Sequence, residues 1–131
     1  MSYSINEQHI NSVIALETSK RYEYFIQRVA DWEELWSLKD ESGWVSSANN
    51  EGLMSIPFWP HPKFAELCAS DSWEGNNPSP IALSDFMSKW LPGMNHDGLS
   101  VAVFPLPEGK AVEINPLELL EQLEMACQQY E

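Results

Sequence analysis

Basic residues are scarce in this sequence. The 131-residue chain has 7 Lys and Arg against 20 Asp and Glu, which gives a net charge of −13 at neutral pH. Residues 1–30 hold three of each sign, so the other 17 acids and 4 bases lie beyond them. This field repels phosphate backbones, which argues against binding of nucleic acid through a basic face. It favours a basic protein partner, although solubility alone would also account for it.

Long apolar runs are also absent. No stretch of about 18 uncharged apolar residues occurs, and the first residues contain no basic segment followed by an apolar one. The sequence therefore predicts neither a membrane-spanning helix nor a signal peptide. We expect a cytoplasmic protein that does not bind a membrane.

Cysteine, glycine and histidine are too few for several kinds of site. Cys68 and Cys127 lie in apolar helical contexts, which predicts reduced, packed thiols. The six glycines stand singly, so no glycine-rich phosphate loop occurs, and there is no Gly-x-Ser-x-Gly elbow. His9 and His96 lack the spacing of metal ligands. These patterns predict no metal site and no cofactor, and they name no catalytic residue.

Two helices are predicted to open the chain as a hairpin over residues 6–30. Asn6 is placed to cap the first and Ser19 the second, in which apolar residues recur with helical spacing. From Glu34 the apolar residues alternate, which predicts a three-stranded meander with turns at residues 40–43 and 49–52. Because Pro57 cannot donate to a ladder, the third strand is predicted to be at an edge or to end there.

The second half of the chain alternates between predicted loops, helices and strands. Residues 70–80 are interpreted as a long loop, and a helix capped by Ser84 is predicted to stop at Pro92-Gly93. Residues 99–104 predict a strand covered on both faces, which a turn connects to residues 111–114. Asn115 is predicted to cap the closing helix, residues 116–128.

Together these elements predict one α+β domain over residues 1–131. Its mainly antiparallel sheet of about five strands would pack against the N-terminal helical hairpin and the C-terminal helix. The sheet and the short helices would span residues 34–114.

The chain is rich in tryptophan, with five of its six tryptophans between residues 32 and 73. Trp36, Trp44 and Trp59 fit the core of a half-buried sheet, but tryptophan is also enriched at binding hot spots. The sequence leaves both interpretations open for these three. Trp73 lies in the long polar loop, and we expect it to be partly exposed.

The turn Trp59-Pro60-His61-Pro62 is the most distinctive short segment. Two prolines fix the backbone around a side chain that titrates near neutral pH, so His61 could act as a general base or ligand. It could equally fill a turn or cap position before the helix that begins at Pro62. A catalytic role would require a carboxylate, for which Asp31 and Asp40 are the candidates.

Several aromatic-rich segments recur in a known family. They are Arg21 to Phe25, Leu35 to Asp40 with Gly43-Trp44, Pro57 to His61, Trp90 to Gly93, and Val101 to Pro105. On these segments the chain resembles the bacterial domain of unknown function 2750 family, over residues 20–120. The resemblance implies a stand-alone bacterial cytosolic domain and carries over no site residues.

We therefore expect a non-enzymatic protein-binding or regulatory module with an acidic surface. Trp59, His61 and Trp73 are its predicted contact residues for a basic protein partner. Two alternatives remain open at this stage. One is an immunity-type inhibitor of a basic toxin, and the other is a small hydrolase that uses His61 with a carboxylate.

Overall fold

The computed structural model describes residues 7–40, 43–45, 47–48, 54–68, 75–105 and 112–128. The chain contains both helices and strands in mixed order, and the strands pair mainly antiparallel, which confirms the α+β class. The helices are α1 (Glu7–Ile14), α2 (Thr18–Trp32), α3 (Pro62–Cys68), α4 (Leu83–Asp85), α5 (Leu91–Asp97) and α6 (Pro116–Gln128). The strands are β1 (Glu34–Asp40), β2 (Gly43–Trp44), β3 (Ser47–Ala48), β4 (Met54–Phe58), β5 (Asn77–Ala82), β6 (Ser100–Val103) and β7 (Val112–Ile114).

The strands form two sheets, so the prediction of one sheet of about five strands is wrong. One sheet has the order β2-β1-β5 and the other the order β3-β4-β6-β7. Pairing is antiparallel except between β4 and β6, which run parallel. The predicted meander is correct only for the β1–β2 hairpin, in which Asp40 is opposite Gly43. Strand β4 pairs with β3 and β6 instead of continuing that meander.

A backbone bridge links the two sheets. The N–H of Trp36 donates to the carbonyl of Trp59 at 2.8 Å, and the N–H of Trp59 donates back to Trp36 at 2.8 Å. Trp36 belongs to β1, and Trp59 directly follows β4. The bridge therefore fixes the end of β4 against the middle of β1.

Strand β5 occupies part of the segment that was predicted to be a loop. Pro78 and Pro80 favoured the loop, yet they lie opposite Leu38 and Trp36 of β1. Trp36 directs its N–H and its carbonyl to Trp59, and the carbonyl of Leu38 accepts from the N–H of Val45. Because antiparallel pairs alternate between bonded and non-bonded positions, β1 needs no N–H from either proline.

Pro57 lies in a strand that is not at the edge of its sheet. Its partner across the parallel ladder is Ala102, while β3 pairs only with Met54 and Ser55. The carbonyl of Pro57 accepts a hydrogen bond from Ser37 Oγ at 2.6 Å. Pro57 is therefore accommodated beyond the end of β3, where no strand requires its missing N–H.

Two predicted serine caps are wrong. Helix α2 begins one residue before Ser19, with Glu17 at the N-cap and no side-chain cap bond. Helix α4 begins before Ser84, with Ala82 at its N-cap. By contrast, Asn115 caps α6 as predicted, because its Oδ1 accepts from the N–H of Leu117 at 2.9 Å. Asn6 and the predicted turn at residues 49–52 lie outside the described residues.

The helix expected to stop at Pro92-Gly93 continues to Asp97. A π-helical segment (Phe86–Trp90) joins α4 to α5, and the N–H of Leu91 bonds to the carbonyl of Phe86. A proline removes a helical donor and crowds the preceding turn, so a wider turn just before Pro92 accommodates it. Gly98 follows Asp97 as the C-cap, and its φ of 75° is the left-handed conformation that suits glycine.

The core lies between the sheets and the helices. Val101 and Val103 of β6 are buried, as expected for a strand covered on both faces, and Leu119 and Leu123 of α6 are buried too. Helix α6 packs against both α2 and α5. Within the described ranges, no helix is long and apolar enough to cross a bilayer.

Candidate functional site

Trp59, the first predicted contact residue, lies inside the molecule. It is 0% exposed, and its indole Nε1 donates to the carbonyl of Pro105 at 2.8 Å. The same carbonyl accepts from Cys68 Sγ at 3.3 Å. The indole therefore ties the end of β4 to the segment after β6, and a partner would reach it only after a rearrangement.

His61 is also internal, at 5% exposure. Its Nδ1 accepts from the N–H of Lys63 at 3.2 Å, and its carbonyl accepts from the N–H of Phe64 at 3.2 Å. The ring packs edge-on against Trp32 and Phe64, with centroids 6.0 and 6.5 Å away. His61 thus fills the cap position before α3, one of the two interpretations that the sequence left open.

The remaining predicted site residues are Asp31, Asp40 and Trp73. The carboxylate of Asp31 is partly exposed and lies 3.7 Å from Arg28 Nη1. The side chain of Asp40, and Trp73 as a whole, lie outside the described residues. A contact role for Trp59, His61 and Trp73 therefore stays a prediction.

Three of the described tryptophans reach the surface in part. Trp32 and Trp59 are buried, whereas Trp36, Trp44 and Trp90 are half-buried. Trp44 and Trp90 form a perpendicular pair, with ring centroids 4.9 Å apart and planes at 80°. We call these two residues the tryptophan pair. It is a solvent-accessible aromatic surface that depends on the fold, because the two residues are far apart in the sequence.

Neighbouring side chains contact both rings of the tryptophan pair. Trp90 ends the π-helical segment and packs edge-on against the buried ring of Phe58, 5.6 Å away. π-Helical turns occur frequently at functional sites, and here the turn sets the direction of Trp90. On the hairpin, Lys39 Nζ lies 4.9 Å from the ring centroid of Trp44. Sequence reasoning missed Trp90 as a surface residue, because its helical spacing indicated only the core.

Described residues line at least two open clefts, and each combines polar with apolar side chains. The cleft between α2, α4 and α6 has a volume of about 420 Å³ and includes Asp31, Glu33 and Cys127 in its lining. The cleft at the start of β6 has a volume of about 390 Å³, and its polar lining includes Asn115 and Glu113. No group of three or more His, Cys, Asp or Glu in the described part of the chain is arranged to hold a metal ion.

Two described tyrosines, Tyr22 and Tyr24, have perturbed pKa values. Burial raises the pKa of Tyr22 above its usual value, and the nearby charge of Glu118 raises it further. Burial also raises the pKa of Tyr24, while Arg28 partly opposes that rise. The Tyr24 hydroxyl lies 2.8 Å from His9 Nε2. Raised tyrosine pKa values leave these groups protonated at neutral pH, so neither supplies a base.

The fold and its surfaces define an α+β protein of two bridged sheets that carries a half-buried, partly accessible aromatic pair. Residues 22–123 match the sequence profile of a family described as "Protein of unknown function (DUF2750)", and the chain belongs to that family. No curated protein matches the chain. No solved structure matches it either.

Proposed function

We propose that this protein is a non-enzymatic binding or regulatory module of the bacterial cytosol, and that its partner is a protein with a basic surface. The observation that carries the proposal is the half-buried tryptophan pair, Trp44 and Trp90. Large aromatic area exposed to water costs free energy, and tryptophan is the residue type most enriched where partners bind. The perpendicular rings offer a corner that a partner side chain would fill.

The chemistry of the pair suits a cationic partner. An indole face attracts a cation through its ring quadrupole, and Lys39 already lies over one face of Trp44. A partner's Arg or Lys would use the same interaction at the remaining accessible ring surface. The net charge of −13 would add long-range attraction and raise the association rate at low ionic strength.

The test is affinity capture from a bacterial lysate. The immobilised protein is compared with a Trp44→Ala/Trp90→Ala double variant and with a Trp36→Ala control, which removes a half-buried indole outside the pair. We expect the unsubstituted protein to retain basic proteins that high salt releases, and the Trp44→Ala/Trp90→Ala variant to lose them. Circular dichroism and thermal melts establish that all three are folded.

The proposal fails if the protein retains no basic protein, or if neither salt nor the double substitution changes what it retains.

An immunity-type inhibitor is a specialised form of the same proposal, because a small acidic domain is suited to covering a basic toxin. A captured nuclease whose activity falls when the protein is added would identify that form. The hydrolase alternative would require His61 to give up the hydrogen bond that Nδ1 accepts from Lys63.

A further inference from the structure

The outer face of α6 combines exposed apolar and acidic side chains. Leu117 and Met125 are 47% and 56% exposed, more than any other large apolar side chain among the described residues. They are eight residues apart, a little over two helical turns, so they lie on the same side of the helix. Glu118, Glu121 and Glu124 are exposed on or beside that face.

The three carboxylates are not neutralised within the described structure. None of them forms an ion pair with a described residue, and α6 itself contains no Lys or Arg. Like charges spaced three residues apart on a helix repel one another. The negative end of the helix dipole adds to this potential near Glu124. The face is thus apolar in two places and negative between them.

The opposite side of α6 makes the contacts that hold the helix on the domain. Leu119 and Leu123 are 0% exposed and belong to the core. Because Leu117 and Met125 point away from that core, the fold does not depend on their burial. Their exposure leaves apolar area free for a partner to cover.

We infer that this face docks a cationic amphipathic helix of the partner protein, an inference that rests on the proposed function. The partner helix would place apolar side chains over Leu117 and Met125 and lysines or arginines beside Glu121 and Glu124. Charge complementarity selects this occupant, since an acidic or neutral helix would leave the carboxylates without counter-charges. The apolar contacts supply affinity, and the charges supply orientation and association rate.

The test uses a defined probe, a fluorescently labelled synthetic helix with leucine on one face and lysine on the other. Its binding to the full chain is measured by fluorescence anisotropy at physiological ionic strength, where long-range attraction is screened. We expect the double variant Leu117→Gln/Met125→Gln to bind at least about tenfold more weakly, since two apolar anchors are lost. The matched control is Leu67→Gln on α3, a side chain of similar exposure at 42%.

A second pair of variants separates local recognition from general attraction. Glu121→Lys/Glu124→Lys and the control Glu17→Lys/Asp97→Lys change the net charge equally, and all four positions are exposed. We expect the α6 variant to weaken probe binding by at least about tenfold and the control to weaken it much less. Equal effects of the two would show attraction by net charge alone and would overturn the inference.

The remaining outcomes distinguish this inference from the proposed function. Absence of probe binding to the unsubstituted protein, or equal binding by the Leu117→Gln/Met125→Gln variant, overturns docking at α6. If the lysate experiment still yields a basic partner that needs the tryptophan pair, the proposed function stands and only the α6 surface is wrong. If no basic partner is captured, the proposed function itself fails.

Discussion

The buried imidazole of His61 accepts a hydrogen bond from the N–H of Lys63 with Nδ1 and so caps the start of α3. We predict that His61→Ala lowers the free energy of unfolding by about 1–2 kcal/mol, as loss of a helix cap does. His61→Asn should lose less, because an asparagine oxygen can accept the hydrogen bond from the N–H of Lys63. Urea denaturation of the two variants measures the difference. Equal losses would mean that ring packing, and not the cap, determines the effect.

The hydroxyl of Tyr22 is buried and has no hydrogen-bond partner among the described residues. Because its pKa is raised in the fold, the neutral phenol contributes stability below the unfolded pKa of about 10, and that contribution is lost as pH rises through the folded pKa. We predict that Tyr22→Phe loses less stability than the unsubstituted protein between about pH 9 and pH 11.

Urea denaturation across that pH range tests the prediction for Tyr22. At neutral pH the substitution should be close to neutral or stabilising, since it removes a buried hydroxyl without a described partner. If the Tyr22→Phe variant and the unsubstituted protein lost stability in parallel above about pH 9, ionisation of Tyr22 would not be the cause of the loss.

At the scale of the element, substitution of two glycines of the same helical region by alanine should change the stability of the protein in opposite directions. Gly98 ends α5 with a φ of 75°, so Gly98→Ala forces a side chain into the left-handed region and should cost about 1–2 kcal/mol. Gly93 lies within α5, and an added Cβ there meets nothing within 4 Å. Gly93→Ala should therefore stabilise the protein by up to about 1 kcal/mol. Thermal melts of both variants provide the comparison, and a change of the same sign in both would contradict it.

The sequence predicted the elements whose signals are local. The structure confirms three predictions that depend on neighbouring residues. They are the apolar repeat of α2, the Asn115-Pro116 start of α6 and the pairing of β1 with β2. Strand β5 could not be predicted in this way. Its prolines are acceptable only because Trp36 and Leu38 direct their hydrogen bonds to other segments, which is information about distant chain segments.

The candidate site was less predictable than the fold for the same reason. Periodicity places Trp90 on a helix, but the π-helical turn that brings it to Trp44 depends on how that helix accommodates Pro92. For His61 the opposite holds. Its local motif is distinctive in the sequence, but the structure buries its side chain. Distances between side chains from different elements decide both outcomes, and the order of residues along the chain does not encode them.

At the scale of the whole molecule, a net charge of −13 implies self-repulsion in the folded state. We predict that the melting temperature rises as NaCl shortens the Debye length from about 30 Å to about 8 Å. The Glu121→Lys/Glu124→Lys variant, whose net charge is −9 instead of −13, should show a smaller rise. The Leu117→Gln/Met125→Gln variant keeps the original charge and serves as the control. A melting temperature that is independent of salt would contradict the prediction.

The chain passes between its two sheets three times, from β2 to β3, from β4 to β5 and from β5 to β6. Neither sheet is therefore encoded by one contiguous stretch. During synthesis on the ribosome, β1 must wait for residues 77–82 and β4 for residues 100–103 before their ladders close. Until those residues are made, the nascent chain holds unpaired strand edges, so the interleaved order of strands favours folding in one cooperative step.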